Sequence, residues 1–322
     1  MTLIVDTNPS TTREPSRADL EDQHVAPGDF FGTTGERGSQ VWNFDGTRAS
    51  RVGVPNPDER SCVALNAGES LREALCRVPM FEAVNFTLHK MELPPGAFYP
   101  RMSRPSDQHP EEAPGMLPSF WKLANEMAST LNQVRSFVGM LNEIFQVIHP
   151  AAENLSSYGG DIRNLLILAC TECEAQWRGV LLANNRSARR LSTNEFVLLE
   201  PAMRLSEYAV KFQHLPWMEA VAPFARWDSA EPTKSISWYD DYNAAKHDRE
   251  SAFNRATLKS TINAVAAVWI MVAAQFGIHG LREFDDLFRY FTLERVPLWR
   301  YSEVYTLGYD GFGSEGARYF PF

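Results

Sequence analysis

A long apolar stretch in the C-terminal half of the chain constrains the fold more than any other feature. Residues 264–274 are an unbroken run of eleven apolar side chains, well short of the ~20 that a membrane-spanning helix needs. A helix that is apolar on all sides is buried in a protein core. We therefore predict one long core helix, which begins at Ser237, runs to about Gln275 and stops at Gly277.

The start of this predicted helix is polar and holds most of the candidate functional side chains. Asn243 and His247 are four residues apart, so both leave the helix on one face. Asp240 precedes Asn243 by three residues, and Lys246 and Arg249 flank His247 with positive charge. Charged neighbours tune a His for work near neutral pH. The pattern indicates either a helix that carries a His into a cleft or a polar helix end that enters a domain.

Helical periodicity dominates the chain from residue 116 to residue 290. Apolar residues recur every three or four positions over residues 120–148 and 161–183, which is typical of amphipathic helices. In residues 208–212 large apolar side chains alternate with smaller or polar ones, and with residues 221–227 they predict a small inserted β-hairpin. We predict a mainly α fold in which residues 116–290 form a helical bundle that carries this hairpin.

The segments on either side of the bundle have a different composition. Residues 1–60 are rich in Thr, Ser, Pro, Gly and Asp, which predicts a largely irregular or disordered arm. Residues 61–115 predict a small α/β segment followed by a Pro-rich linker. The N-terminal region as a whole should hold one or two strands. Residues 291–322 form an aromatic tail, which should pack back on the helical domain because such a tail rarely stays solvated.

Composition excludes several classes of function. The net charge of −9 argues against chain-wide attraction to nucleic acid, so any RNA site must be local. The chain lacks a basic, apolar leader, and its four cysteines form no disulfide framework, so we expect a cytoplasmic protein without a membrane partner. No phosphate-binding, zinc-protease or hydrolase motif occurs. We therefore expect neither a cofactor nor a metal.

The second long helix carries two further candidates. Cys170 and Cys173 have a C-x-x-C spacing, but they fall mid-helix without a second close pair, so we predict two buried core thiols. Glu172 lies between them. If this helix packs against the helix of His247, Glu172 can point at His247 and serve a binding site.

The segment 242–247, Tyr-Asn-Ala-Ala-Lys-His, resembles the motif of the HEPN superfamily. That motif, R-x4-6-H, consists of an Arg, a polar residue directly after it, and a His further along the chain. The polar residue and the His match at Asn243 and His247, whereas the Arg position falls on Tyr242. The likeness covers residues 119–290. This part of the chain is similar to HEPN-type proteins of bacterial defence and toxin–antitoxin systems.

The resemblance implies a metal-independent endoribonuclease site formed by Tyr242, Asn243 and His247, with Lys246, Arg249, Glu172 and Asp240 as binding residues. A His base and a cation on the phosphate suit that chemistry, but Tyr has no fixed charge. We therefore predict a catalytically degenerate binding or assembly module in a bacterial defence or stress system; the alternative is a ribonuclease that uses His247 and Asn243. The partners would be RNA at a local groove, a second copy, or another protein bound through the helical domain. The all-apolar segment 265–272 is one reason to expect a homodimer.

Overall fold

The fold is taken from a computed structural model of the full chain. It describes residues 21–35, 38–54, 57–82, 84–110, 123–187, 191–248, 250–277, 286–306 and 316–322. The first 20 residues, which belong to the predicted arm, lie outside this described part.

The prediction of a mainly α fold with an irregular N-terminal region is wrong. The N-terminal part of the chain forms a five-stranded antiparallel sheet, so the fold is mixed α and β. Its order is β4-β3-β2-β1-β5. The strands are β1 (Phe30–Gly35), β2 (Gln40–Phe44), β3 (Arg48–Arg51), β4 (Cys62–Ala64) and β5 (Phe86–Lys90).

The sheet escaped prediction because its strands are short and one of its pairings is remote in sequence. A strand of three to six residues places only two or three side chains on the core face, too few for a clear alternation. Phe31 lies opposite Trp42 across β1 and β2, whereas β1 pairs on its other edge with β5, more than fifty residues away. Such a pairing leaves no mark in local composition.

Both faces of the sheet are covered. On one face Phe31 and Trp42 stack at 6.5 Å and pack against helix α1 (Leu71–Cys76). On the other face Val41 packs with Tyr301 of the C-terminal segment. Gly32 is required there, because a Cβ atom at this position would overlap the ring of Tyr301. The N-terminal sheet and the C-terminal segment thus share one core.

A helical layer forms the rest of the protein, and its centre is the predicted apolar helix. The helices are α2 (Ala124–Val147), α3 (Gly160–Ala183), α4 (Thr193–Phe196), α5 (Leu199–Met203), α6 (Ser237–His247) and α7 (Leu258–Phe276). The helix α7 is buried along nearly its whole length and packs against α2, α3 and α6. All of residues 265–272 are at most 1% exposed, which confirms their assignment to the core.

The burial of α7 bears on two expectations. By length and composition alone, α7 is the one described helix that could cross a membrane, yet 89% of its apolar window is buried inside the protein. That burial is typical of a core helix. It also means that residues 265–272 present no surface to a second copy of the chain, so a dimer would have to use another face.

The predicted hairpin of residues 208–212 and 221–227 does not form. Strand β6 (Ala209–Phe212) pairs along one edge with β7 (Phe291–Arg295). On its other edge, Val210 and Val221 share a single bridge with backbone hydrogen bonds of 2.9 and 2.7 Å. The ring of Phe291 packs edge-on against Phe212 at 5.1 Å. The main partner of this strand is therefore β7, and residues 221–227 add only the one bridge.

A buried arginine ties the sheet region to the C-terminal segment. The side chain of Arg104 is 3% exposed and pairs with Glu92, with 2.6 Å between Nη1 and Oε2. Its guanidinium lies over the rings of Tyr99, Trp299 and Tyr305, at 4.9, 4.7 and 5.8 Å from their centres. A desolvated cation–π interaction stabilises a fold by about 2 kcal/mol, and here one guanidinium is shared among three rings.

Alkaline pH should unfold the protein through its buried tyrosines. Burial raises the pKa of Tyr305 to about 12, whereas an unfolded Tyr titrates near pH ~10. The native state thus holds its proton longer than the unfolded state does, so the associated stability is present below about pH 10 and is lost as pH rises towards about 12. Burial raises the pKa of Tyr99, Tyr208, Tyr239 and Tyr301 in the same direction.

We expect the free energy of unfolding to fall by at least about 2 kcal/mol over that interval. Urea titrations at pH values from about 8 to 12, with tyrosinate absorbance recorded in parallel, measure this. Full tyrosine ionisation near pH ~10 in a protein that stays native would contradict the burial described here.

Candidate functional site

The helix that carries the candidate residues is shorter than the sequence predicts. Instead of running on to Gln275, α6 ends at His247, and α7 begins at Leu258. Polar residues fill the interval, and Thr257 caps the new helix by accepting a hydrogen bond from the backbone N–H of Ser260 at 3.2 Å. A Thr cap of this kind restarts a helix. His247 therefore occupies the C-terminal end of a helix and not its first turns.

Tyr242, at the position that the HEPN motif gives to Arg, is a core residue. Its side chain is 0% exposed, and its ring lies 5.4 Å from that of Tyr239. Lys246, one turn further on, donates a hydrogen bond from Nζ to the Tyr242 hydroxyl at 2.7 Å. Burial raises the pKa of Tyr242, and the hydrogen bond to Tyr242 raises the pKa of Lys246. The neutral phenol of Tyr242 thus lies beneath the charged ammonium of Lys246.

Asn243 and His247 lie on the outer side of α6. Asn243 is half-buried, and its Nδ2 donates to the backbone carbonyl of Tyr239 at 2.9 Å, so its amide is folded back on its own helix. His247 is exposed. Within the described ranges, its imidazole has no hydrogen-bond or ion-pair partner that would fix its orientation or tautomer. A general base is normally oriented by a second group.

The acidic residues near the start of α6 are engaged in structure. Nη2 of Arg255, in the turn before α7, lies 2.6 Å from Oδ2 of Asp240 and 2.8 Å from Oδ1 of Asp241. Ser260 donates a hydrogen bond to Asp241 at 2.6 Å. Asp240, a predicted binding residue, therefore clamps α6 to the start of α7.

Glu174, and not Glu172, reaches α6. The Tyr239 hydroxyl donates to Oε1 of Glu174 at 2.7 Å, and burial together with this carboxylate raises the pKa of Tyr239. Glu172 instead accepts a hydrogen bond from Gln176 at 3.1 Å. The two glutamates are two residues apart on α3 and so point in different directions.

Glu172 belongs to a polar chain that crosses the core. Gln275 of α7 donates from Nε2 to Oε1 of Gln176 at 3.0 Å, and Arg101 donates from Nε to Oε1 of Gln275 at 2.8 Å. Both glutamines are buried. This chain satisfies polar groups between α3 and α7 and is separate from His247.

Sequence reasoning missed one residue of this site, Arg163. From the first turn of α3 its Nε and Nη2 donate to the carbonyl oxygen of Ala245 at 3.3 and 3.1 Å. A guanidinium at the C-terminal end of a helix is favourable because the terminal carbonyls carry partial negative charge. It brings a cation to within two residues of His247 along α6. No local pattern around Arg163 could have indicated this contact, which depends on how two helices cross.

Arg249 lies outside the described residues. Cys170 and Cys173 are buried, unpaired and have pKa values raised by that burial, which confirms them as core thiols. Within the part of the chain that the structure describes, no group of three His, Cys, Asp or Glu side chains is arranged to hold a metal ion.

Two contacts join α6 to α3: the hydrogen bond from Tyr239 to Glu174 and those from Arg163 to the Ala245 carbonyl. The hydrogen bond from Lys246 to Tyr242 lies within α6, and the half-buried Asn243 and the exposed His247 lie on its outer side. No protein-family model matches the chain, and neither a curated protein nor a solved structure shows significant similarity to it.

Proposed function

We propose that the protein is a non-catalytic binding or assembly module. The observation that supports this most is the burial of Tyr242. The position at which the HEPN motif places its phosphate-binding Arg is a packed phenol that accepts a hydrogen bond from Lys246. A neutral, inaccessible side chain cannot stabilise charge on a phosphate. The placement of the protein in a bacterial defence or stress system rests on the resemblance alone.

We propose that the assembly partner is a second copy of the chain, bound through the outer face of α3. Leu168 is 44% and Leu182 is 51% exposed on this face. Ala175 lies midway between them, seven residues from each, and is also exposed. Two antiparallel copies of α3 related by a two-fold axis at Ala175 would place Leu168 of one copy against Leu182 of the other. Such self-complementarity is what a two-fold interface requires.

Light scattering after gel filtration tests this assignment. At roughly tens of micromolar we expect a dimer, because the interface would remove the exposed parts of four leucine side chains from water. The double variant Leu168→Asp, Leu182→Asp should be monomeric and equally folded by circular dichroism. Val147→Asp is the matched control, since Val147 is 86% exposed at the end of α2. A monomeric wild type, or a double variant that still dimerises, would refute the interface.

A second candidate function, metal-independent RNA cleavage, is favoured by one observation. Arg163 supplies a guanidinium that binds the carbonyl of Ala245, two residues before the exposed His247, so a candidate base and a cation belong to the same end of α6. This candidate predicts RNA cleavage that persists in EDTA and is lost both in His247→Ala and in Arg163→Ala. Lys246 is excluded as the cation, because its ammonium is already directed at Tyr242.

A further inference from the structure

A polar cavity lies between the N-terminal sheet and the segments that cross it, away from α6. Its volume is about 610 Å³, within the range of small-molecule sites. The ends of β1, β2 and β3 form one wall, and the segment after Arg104 forms another. The polar side chains that line it include Thr34, Ser39, Arg51, Asp107, Gln108 and Thr306.

Arg51 is the cation of this cavity. Its backbone N–H donates to the carbonyl of Ser61 at 2.7 Å, which fixes the end of β3 in the sheet. Its guanidinium is half-buried and has no hydrogen-bond or ion-pair partner anywhere in the described ranges. Arginines with an unused donor fork beside a cavity suit the oxygens of a carboxylate or phosphate.

Thr306 supplies an independent sign of a ligand. The residue is 5% exposed, and its Oγ1 is buried with no hydrogen-bond partner among the residues that the structure describes. A buried hydroxyl left unsatisfied costs about 1–3 kcal/mol. Thr306 also lines the cavity that holds Arg51. Rotation of the Thr306 side chain towards the cavity would let a polar ligand there satisfy this hydroxyl.

Two more hydroxyls are held in place at the cavity wall. Oγ1 of Thr34 and Nε2 of His89, a residue 4% exposed, lie 2.7 Å apart in a hydrogen bond. Ser39 donates from Oγ to the backbone carbonyl of Asp107 at 2.7 Å, which joins the two walls. The side chain of Asp107 adds a carboxylate to the lining, so a ligand must offer donors as well as an anionic group.

We propose that this cavity binds a small hydroxylated or amino compound that carries a phosphate or carboxylate. Arg51 binds the anionic group, the Thr306 hydroxyl bonds the ligand, and Asp107 faces its hydroxyl or ammonium donors. The site is independent of the assembly proposed through α3. Its lining residues come from four segments of the chain that are far apart in sequence, between Thr34 and Thr306.

Isothermal titration calorimetry with the full-length protein tests the proposal, using inorganic phosphate, ribose 5-phosphate and glutamate as separate probes. We expect at least one probe to bind. If the site prefers a phosphate, ribose 5-phosphate should bind more tightly than glutamate; if it prefers a carboxylate, glutamate should bind more tightly. Arg51→Gln should weaken that binding about 10-fold or more, because a charge-assisted hydrogen bond is lost. Arg48→Gln is the control, since Arg48 lies on the same strand, exposed and outside the cavity.

Thr306→Val separates a ligand role from a structural one. Because the hydroxyl has no partner, its replacement by a methyl group should preserve or raise the thermal midpoint of the free protein while weakening the probe that binds. If none of the three probes binds, or if Arg51→Gln and Arg48→Gln bind as the wild type does, the proposal is overturned. A Thr306→Val protein with unchanged affinity would remove Thr306 from the site.

Discussion

Replacement of Tyr242 by Arg is expected to destabilise the protein by about 3 kcal/mol or more and to create no ribonuclease. The side chain is 0% exposed, so the guanidinium would lose its hydration. Its nearest polar neighbour is the ammonium of Lys246, at 2.7 Å from the present hydroxyl. The nearby carboxylate of Glu174 already accepts the hydrogen bond of Tyr239. An Arg at position 242, as the HEPN motif has it, would therefore be a buried, unpaired charge beside a like charge.

Urea denaturation of Tyr242→Arg beside the wild type measures this loss. Tyr242→Phe is the control, because it removes the hydroxyl and keeps the ring; it should cost only about 1 kcal/mol. A Tyr242→Arg protein as stable as the wild type that also cleaves RNA would show that position 242 faces a usable groove, contrary to its burial here.

Arg104→Met should lower the free energy of unfolding by about 2–4 kcal/mol. Arg104 is almost fully buried, and its loss would leave the Glu92 carboxylate without its cation and remove the contacts with three aromatic rings. Methionine has a similar shape, so little of the effect would come from a cavity. We place the estimate below the full cost of a broken buried pair because Glu92 is 36% exposed.

Arg72→Met is the matched control. Arg72 also pairs with a carboxylate, that of Asp22, and lies 4.5 Å from the centre of the Phe86 ring, but it is 42% exposed. Exposed pairs contribute about 0–1 kcal/mol. Denaturation midpoints of the two variants should differ clearly. Equal losses would show that Arg104 is not the buried link between the sheet and the C-terminal segment.

The sequence was most informative where a pattern repeats many times. Helices α2 and α3 each have 24 residues, so six turns report the same apolar face and their positions were predicted closely. The apolar run within α7 could only be a core helix, and it is. Strands β1 to β5 are too short for a repeated apolar pattern, and from the same kind of pattern we predicted an irregular arm there. The helix break after His247 was also missed, because a Thr cap outweighed continuous helical propensity.

The candidate site was predictable as a set of residues but not as an arrangement. The one-turn spacing of Asn243 and His247 followed directly from helix geometry. The inward direction of Tyr242, the use of Glu174 in place of Glu172 and the arrival of Arg163 depend on the crossing of α3 and α6. Arg51 and Thr306 are 255 positions apart, so only the folded chain shows that they line one cavity.

Incubation of RNA with the wild-type protein in excess EDTA tests the central claim, that the α6 surface is not catalytic. A His247→Ala protein purified in the same way serves as the control for contaminating nuclease. We expect both proteins to leave the RNA intact over the same period as buffer alone. Cleavage by the wild type that is absent with His247→Ala would contradict the claim and establish the end of α6 as a ribonuclease site.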